Sequence, residues 1–154
     1  MQSGVIELNK ILEVDLPRIK HIYSGVNLTV CVIPRAKIES FYSDNQKLFN
    51  NTISVVVAKL IGFSNGATYI IRHTATKTTH MNRSGYGGDG SMPYIGITKD
   101  TCNISDDVNG KDILLIDDIY TKTINVDEDA IQALLDKGAK SVIFYAVGKT
   151  VSRF

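Results

Sequence analysis

Residues 112–127 read DILLIDDIYTKTINVD, and this stretch decides the fold. It opens with an unbroken apolar run, Ile113 to Ile116. Two adjacent acids follow, Asp117 and Asp118, and then a polar loop holding Tyr120, Thr121, Lys122 and Thr123. Four apolar residues bounded by polar ones suit a strand buried on both faces, the kind found in parallel sheets. Beyond the loop, Val126, Ala130, Ile131, Leu134 and Leu135 recur at helical spacing. Asn125 is placed to cap that helix, with Glu128 at the reciprocal capping-box position, and Gly138 stands where a helix stops. The expected unit is strand, acidic edge, polar loop and helix N-terminus. A helix N-terminus presents free N–H groups to an anion, and a pair of acids can accept from sugar hydroxyls. The layout suits a phosphorylated sugar.

Working outward, the same alternation recurs. Residues 28–33 (LTVCVI) form a short β-rich apolar run that stops at Pro34, with Arg35, Ala36 and Lys37 just beyond. Leu48, Phe49, Ile53, Val56, Val57, Leu60 and Ile61 lie three or four apart, which predicts a helix opened by Asp44 and closed by Gly62. Residues 68–71 (TYII) read as the next strand, carrying Arg72 and His73 at its end. Residues 141–147 (SVIFYAV) read as the last. Near the start, Leu16, Ile19 and Ile22 predict a short helix with Pro17 in its first turn, ended by Gly25. Residues 93–98 (PYIGIT) suggest a short strand, and residues 99–111 a polar approach to the opening stretch. Strands alternating with helices predict an α/β fold, a mostly parallel twisted sheet flanked by helices. Ligands in such sheets bind beyond the carboxyl ends of the strands. Arg35 and Lys37, Arg72 and His73, and Asp117 and Asp118 are all placed at such ends.

Residues 74–92 have another character. They hold Lys77, His80 and Arg83, then Gly85, Gly87, Gly88 and Gly90, with almost no aliphatic side chain. A loop this long is usually functional or disordered. Two glycine patterns are set aside. SGYGGDGS (84–91) approaches a dinucleotide fingerprint, but no strand precedes it and no helix follows. Gly148-Lys149-Thr150 ends like a phosphate-binding loop, yet Ile143 stands where the first glycine belongs.

Composition narrows the class. At 154 residues the chain fits one domain, 1–154, with a core of its own. A net charge of +1 supplies no bulk basic field, so nucleic acid is not the expected direct ligand. Cys31 and Cys102 form no CxxC pair, which argues against a zinc ribbon. No basic-then-apolar leader and no run near the ~20 residues of a membrane span are present. A cytoplasmic protein without membrane association is the expectation.

ILLIDDIYTKTIN (113–125) resembles the phosphoribosyl pyrophosphate (PRPP) signature of type I phosphoribosyltransferases. In that signature a hydrophobic strand, two acids and a TTGxT-type loop bind the ribose 5-phosphate. VIPRAK (32–37) is similar to the strand and pyrophosphate loop of the competence-protein-F and amidophosphoribosyltransferase-like branch. IIRHTATKTTHMNRSGY (70–86) resembles its basic hood loop, and VIFYAVGKT (142–150) its closing strand. The resemblance spans residues 28–150 and is strongest at the signature; the zinc ribbon of many competence-protein-F members is absent.

The resemblance implies a set of roles. Asp117 and Asp118 contact the ribose hydroxyls and form the catalytic pair. Thr121, Lys122, Thr123 and Asn125 hold the 5-phosphate, and Arg35, Ala36 and Lys37 line the pyrophosphate. Arg72, Lys77, His80 and Arg83 belong to the hood. Mg2+ arrives on PRPP, with no residue a direct ligand and with Asp117 or Asp118 reaching it through water. The implied reaction displaces pyrophosphate with a nitrogen acceptor, in a glycosyltransferase that in this family is often a homodimer. One departure stands in the loop: TKTIN places Thr123 where the family has glycine and Asn125 where it has threonine. A glycine lets backbone wrap closely around phosphate. The substitution therefore leaves open a second expectation, a PRPP- or nucleotide-binding regulatory module without turnover, associated with DNA processing or defence.

Overall fold

A computed structural model describes residues 2–75, 96–120 and 125–150. Four parallel strands make the main sheet: β1 (Leu28–Val32), β2 (Phe63–Asn65), β5 (Asp112–Tyr120) and β6 (Ser141–Lys149), in the order β2-β1-β5-β6. A separate antiparallel pair joins β3 (Ile70–Arg72) to β4 (Cys102–Ile104). Among the described residues three α-helices accompany them, α1 (Gln2–Ile22), α2 (Leu48–Lys59) and α3 (Val126–Asp136). The expected α/β architecture with a parallel, helix-flanked sheet is therefore present.

The two central strands, β1 and the first half of β5, are buried on both faces, and each face has its own core. Leu28, Val30, Val32, Leu114 and Ile116 pack on Leu12 and Leu16 of α1 and on Ile53, Val56 and Val57 of α2. The alternate residues Cys31, Ile113 and Leu115 face the other way, onto Ala130 and Leu134 of α3 and onto Ile70 and Cys102 of the antiparallel pair. This is the period-two alternation of a strand between two layers. Ile113 through Ile116 are all fully buried, which is why the run carries no polar residue.

From β1 the chain crosses through α2 to β2 on one side. From β5 it crosses through α3 to β6 on the other. The direction of winding reverses between β1 and β5, so the carboxyl ends of those two strands open a crevice at a topological switch point.

Several sequence expectations are corrected. The strand that enters the parallel sheet after α2 is β2, begun directly after Gly62, whose φ of 86° requires glycine. The run ending at Arg72 instead pairs with Cys102–Ile104, so Arg72 and His73 are not at the edge of the main sheet. The polar approach 99–111 contains that partner strand and a 3-10 turn, Asp106–Val108, capped by the Ser105 hydroxyl. Of the suggested strand 93–98, residues 93–95 lie outside the described residues and Gly96 to Thr98 are not strand. The first helix is not short: it runs from Gln2, with Pro17 and the carbonyl-bearing Glu13 four residues earlier both exposed. That placement lets water satisfy the carbonyl that proline leaves without a donor. The helix expected from Asp44 begins as a 3-10 turn, Asp44–Lys47, with a Ser43–Gln46 capping box, and becomes α2 at Leu48. Gly138, with φ 99°, does end α3. Among the described residues no helix is long and apolar enough to cross a membrane.

Candidate functional site

The site is built on the last third of β5. β1 stays paired only as far as Val32, opposite Ile116. β5 does not stop there: it continues beside β6, with Asp117 opposite Ala146 and Tyr120 opposite Lys149. The diacid is therefore strand that has outrun its neighbour on the β1 side, and burial falls off from Asp117, half-buried, to Asp118, exposed. The released backbone is satisfied locally. Asp117 Oδ1 accepts the Asp118 N–H at 2.9 Å, and Asp118 Oδ1 accepts the Ile119 N–H at 2.7 Å.

The two acids have different surroundings. Asp117 follows Leu115 by two residues, which places it on the α3 face of the strand. Burial, then the charge of Asp118, then that of Asp127 push the Asp117 carboxyl well above the usual carboxylate range. Burial likewise raises Asp127. Asp127 is only 3% exposed, and its Oδ1 has no hydrogen-bond partner among the described residues. Asp118 remains open to solvent.

Across the crevice, the segment after β1 carries the cations. Arg35 and Lys37 are exposed and Ala36 is half-buried. Arg35 is not loose: its guanidinium lies 4.9 Å from the Tyr42 ring centroid, and Nη1 donates to the Gln46 carbonyl at 3.1 Å. The Lys37 N–H donates to the Tyr42 hydroxyl at 2.9 Å. Tyr42 thus braces both ends of the Arg35–Lys37 turn and leaves the Lys37 ammonium without a described partner.

Arg72 has another place. It is 5% exposed, and it donates from Nε to the Arg35 carbonyl at 2.7 Å and from Nη1 to the Thr74 carbonyl. Its donors hold backbone, so it acts on the Arg35 turn from beneath. His73 is exposed, with Nδ1 2.9 Å from the Thr74 hydroxyl. Lys77, His80 and Arg83 lie outside the described residues, as do Thr121, Lys122 and Thr123.

At the entry to α3, Asn125 makes no side-chain cap; its carbonyl accepts the Asp129 N–H at 2.9 Å. The expected capping box is absent. Glu128 instead accepts from the Tyr120 hydroxyl at 3.3 Å, and the Tyr120 ring packs edge-on to Phe144 at 5.9 Å. Asp127, Glu128 and Asp129 fill the first turn, where negative charge suits the helix dipole. Tyr120, Asp127, Glu128, Phe144 and Lys149 line a hollow of about 360 Å³.

Asp127 is the residue that sequence reasoning missed. A signal was present, since it stands three residues before Ala130 and seven before Leu134, on the buried stripe of α3. An acid on an apolar stripe is a buried-polar exception that needs a partner.

The structure therefore brings Asp117, Asp118 and the Arg35–Lys37 turn to the two strand ends that flank the switch point. It draws Arg72 into a supporting position. No group of three or more His, Cys, Asp or Glu able to hold a metal occurs among the described residues. No family model and no curated protein sequence matches the chain.

Proposed function

We propose that the crevice between the ends of β1 and β5 binds PRPP with Mg2+ and that the protein transfers its phosphoribosyl group to a nitrogen acceptor. One observation carries the reading: the acidic edge of β5 and the cationic turn after β1 flank the switch point of a parallel sheet. Ligands of open α/β sheets bind at that position, and a sugar with a pyrophosphate at one end needs hydroxyl acceptors and cations side by side.

In this reading Asp118 accepts from the ribose hydroxyls, and Arg35 and Lys37 receive the pyrophosphate. Thr121, Lys122, Thr123 and Asn125, with their backbone N–H groups, take the 5-phosphate. The donor set fits Mg2+ carried in by substrate: an exposed carboxylate, Asp118, can reach a hydrated ion that keeps most of its waters and the substrate oxygens. Bound there, Mg2+ would screen the charge of the leaving pyrophosphate. Breaking the anomeric C–O bond builds positive charge on the sugar, which the acids oppose, while Arg35 and Lys37 stabilise the departing anion.

A second reading is favoured by a specific residue. Thr123 stands where the resembled loop has glycine, and a side chain there crowds a backbone phosphate cradle. This reading makes the protein a PRPP- or nucleotide-binding regulatory module without turnover.

Calorimetry with PRPP and Mg2+, followed by pyrophosphate release over a panel of nitrogenous bases, separates the two. Binding with turnover is the expected result, and binding without turnover selects the module. No binding at millimolar PRPP sinks both PRPP readings. Replacing both acids, Asp117→Asn with Asp118→Asn, is expected to abolish binding, and chelating Mg2+ to weaken it.

A further inference from the structure

We propose that the open edge of β6 pairs antiparallel with β6 of a second copy of the chain, about a two-fold axis at Tyr145, and joins the two four-stranded sheets into one. The inference is independent of the PRPP reading.

β6 ends the sheet. It pairs with β5 on one side and, among the described residues, with no strand on the other. Alternate residues of such a strand turn their N–H and C=O groups outward, a ready template for another strand. Edges that stay single are blunted by charge, proline, a bulge or brevity. β6 uses none of these from Ser141 to Gly148. It is nine residues long, keeps one register with β5 throughout, and carries its first charge at Lys149. Its residues up to Gly148 are half-buried. Val142 and Phe144 pack on the α3 core, and Ile143 and Tyr145 on the other.

Shape argues for a second copy. On the α3 side β6 is bulky in its first half, at Val142 and Phe144, and small in its second, at Ala146 and Gly148. The hollow of about 360 Å³ borders that second half, with Ile131 of α3 on its far wall. Antiparallel pairing about Tyr145 sets Phe144 of each copy opposite Ala146 of the other, and Val142 opposite Gly148. Directly opposed Cβ atoms lie about 5 Å apart, so the partner's Phe144 comes to the hollow that the small residues leave. On the other face Ile143 meets Val147.

Charge agrees with the same register. Lys140, just before β6, has a side chain 71% exposed and is held only loosely, 3.7 Å from Asp112. The pairing carries it to the far end of the partner's β6. That end adjoins the first turn of α3, with Asp127, Glu128 and Asp129, and Glu128 borders the hollow. The cation nearby, Lys149, leaves it acidic. The two-fold axis forms the unlike pair twice, as an isologous interface requires. A parallel pairing in register would set Phe144 beside Phe144 and Lys140 beside Lys140.

The test is light scattering of the full chain against concentration, with circular dichroism checking that each variant is folded. The native protein is expected at twice the chain mass. Val147→Lys places a charge against the partner's Ile143 and should weaken the dimer more than about tenfold. Lys140→Glu and Glu128→Lys should each weaken it about fivefold, and the double variant, which restores unlike charges, should recover it. A double variant no better than the singles would overturn the register. A dimer that Val147→Lys leaves intact would overturn the β6 interface. A monomer at the highest soluble concentration would overturn the second copy as occupant. Hydrogen exchange of the β6 amides would then tell an empty edge from one covered by another segment of the chain.

Discussion

Arg72 and Arg35 stand 37 residues apart, and the Nε of one donates to the backbone carbonyl of the other at 2.7 Å. A side chain on the small antiparallel pair thus sets the course of the turn that follows β1. Arg72 carries its charge in a place only 5% exposed, so its hydrogen bonds are made where water cannot replace them.

The first expectation follows from that bond. Arg72→Met keeps much of the apolar stem and removes the donors to Arg35 and Thr74. A charged hydrogen bond contributes about 1.5–3 kcal/mol, and the loss also leaves the Arg35 carbonyl without its donor. Urea unfolding should show a destabilisation of about 2 kcal/mol. If Arg35 serves the pyrophosphate, PRPP affinity should fall in the same variant, although Arg35 itself is intact. Unchanged stability would mean that Arg72 does not brace the turn.

The second concerns the strand itself. Leu114 is fully buried, between the α1 and α2 side chains of its core. Leu114→Ala removes apolar contacts and leaves a cavity in a site closed by two helices and two strands. A loss of about 3 kcal/mol is expected, read as a lowered urea midpoint with an unchanged denaturant slope. A loss below about 1 kcal/mol would contradict a tightly packed central strand.

The third uses the raised carboxyls. An Asp whose folded pKa lies above its unfolded value, about 3.9, keeps its proton in the folded state after the unfolded chain has lost it. The folded state then binds more protons, and stability falls as pH rises. The contribution of Asp117 and Asp127, both raised first by burial, is fully present below about pH 4 and is lost as pH rises through about 6 for Asp127 and about 9 for Asp117. Thermal melts across pH should show the native protein losing stability relative to Asp127→Asn over that window. At pH 8 the variant should be the more stable by about 1 kcal/mol. A pH-independent difference between the two would count against the raised carboxyls.

The fourth tests the loop. Thr123→Gly restores the glycine of the resembled signature, and it should tighten PRPP binding by about tenfold, or 1.4 kcal/mol. Isothermal titration measures it directly. Weaker binding in Thr123→Gly would show that the threonine contacts the ligand instead of crowding it.

Much of the frame could be read from local pattern. The Ile113–Ile116 run, the stripe through Ile53, Val56 and Val57, and the stop at Gly138 all announce their structure through period and composition. The acidic edge and the cationic turn follow the ends of neighbouring strands. Harder to read were short strands without a clean period: β2 has three residues, of which two are exposed, and β4 is likewise three residues long in a polar stretch. The partner of Arg72 was also hidden, because a cation after a strand looks the same whether it faces water or a carbonyl.

By itself the sequence determined the buried central strand, the helices that follow β1 and β5, the last strand, and that two acids follow the central strand. Those properties depend on residues close along the chain, where backbone periodicity ties sequence to face. Only the tertiary structure decided that the Ile70–Arg72 strand leaves the parallel sheet for Cys102–Ile104. It also decided that Arg72 is buried under the Arg35 turn, and that Asp127 is buried where α3 packs on β5. Strand partners and carboxyl neighbours are chosen by long-range packing. The energy of a buried charge is set by what surrounds it in space, so the two acids written side by side, Asp117 and Asp118, have unequal surroundings.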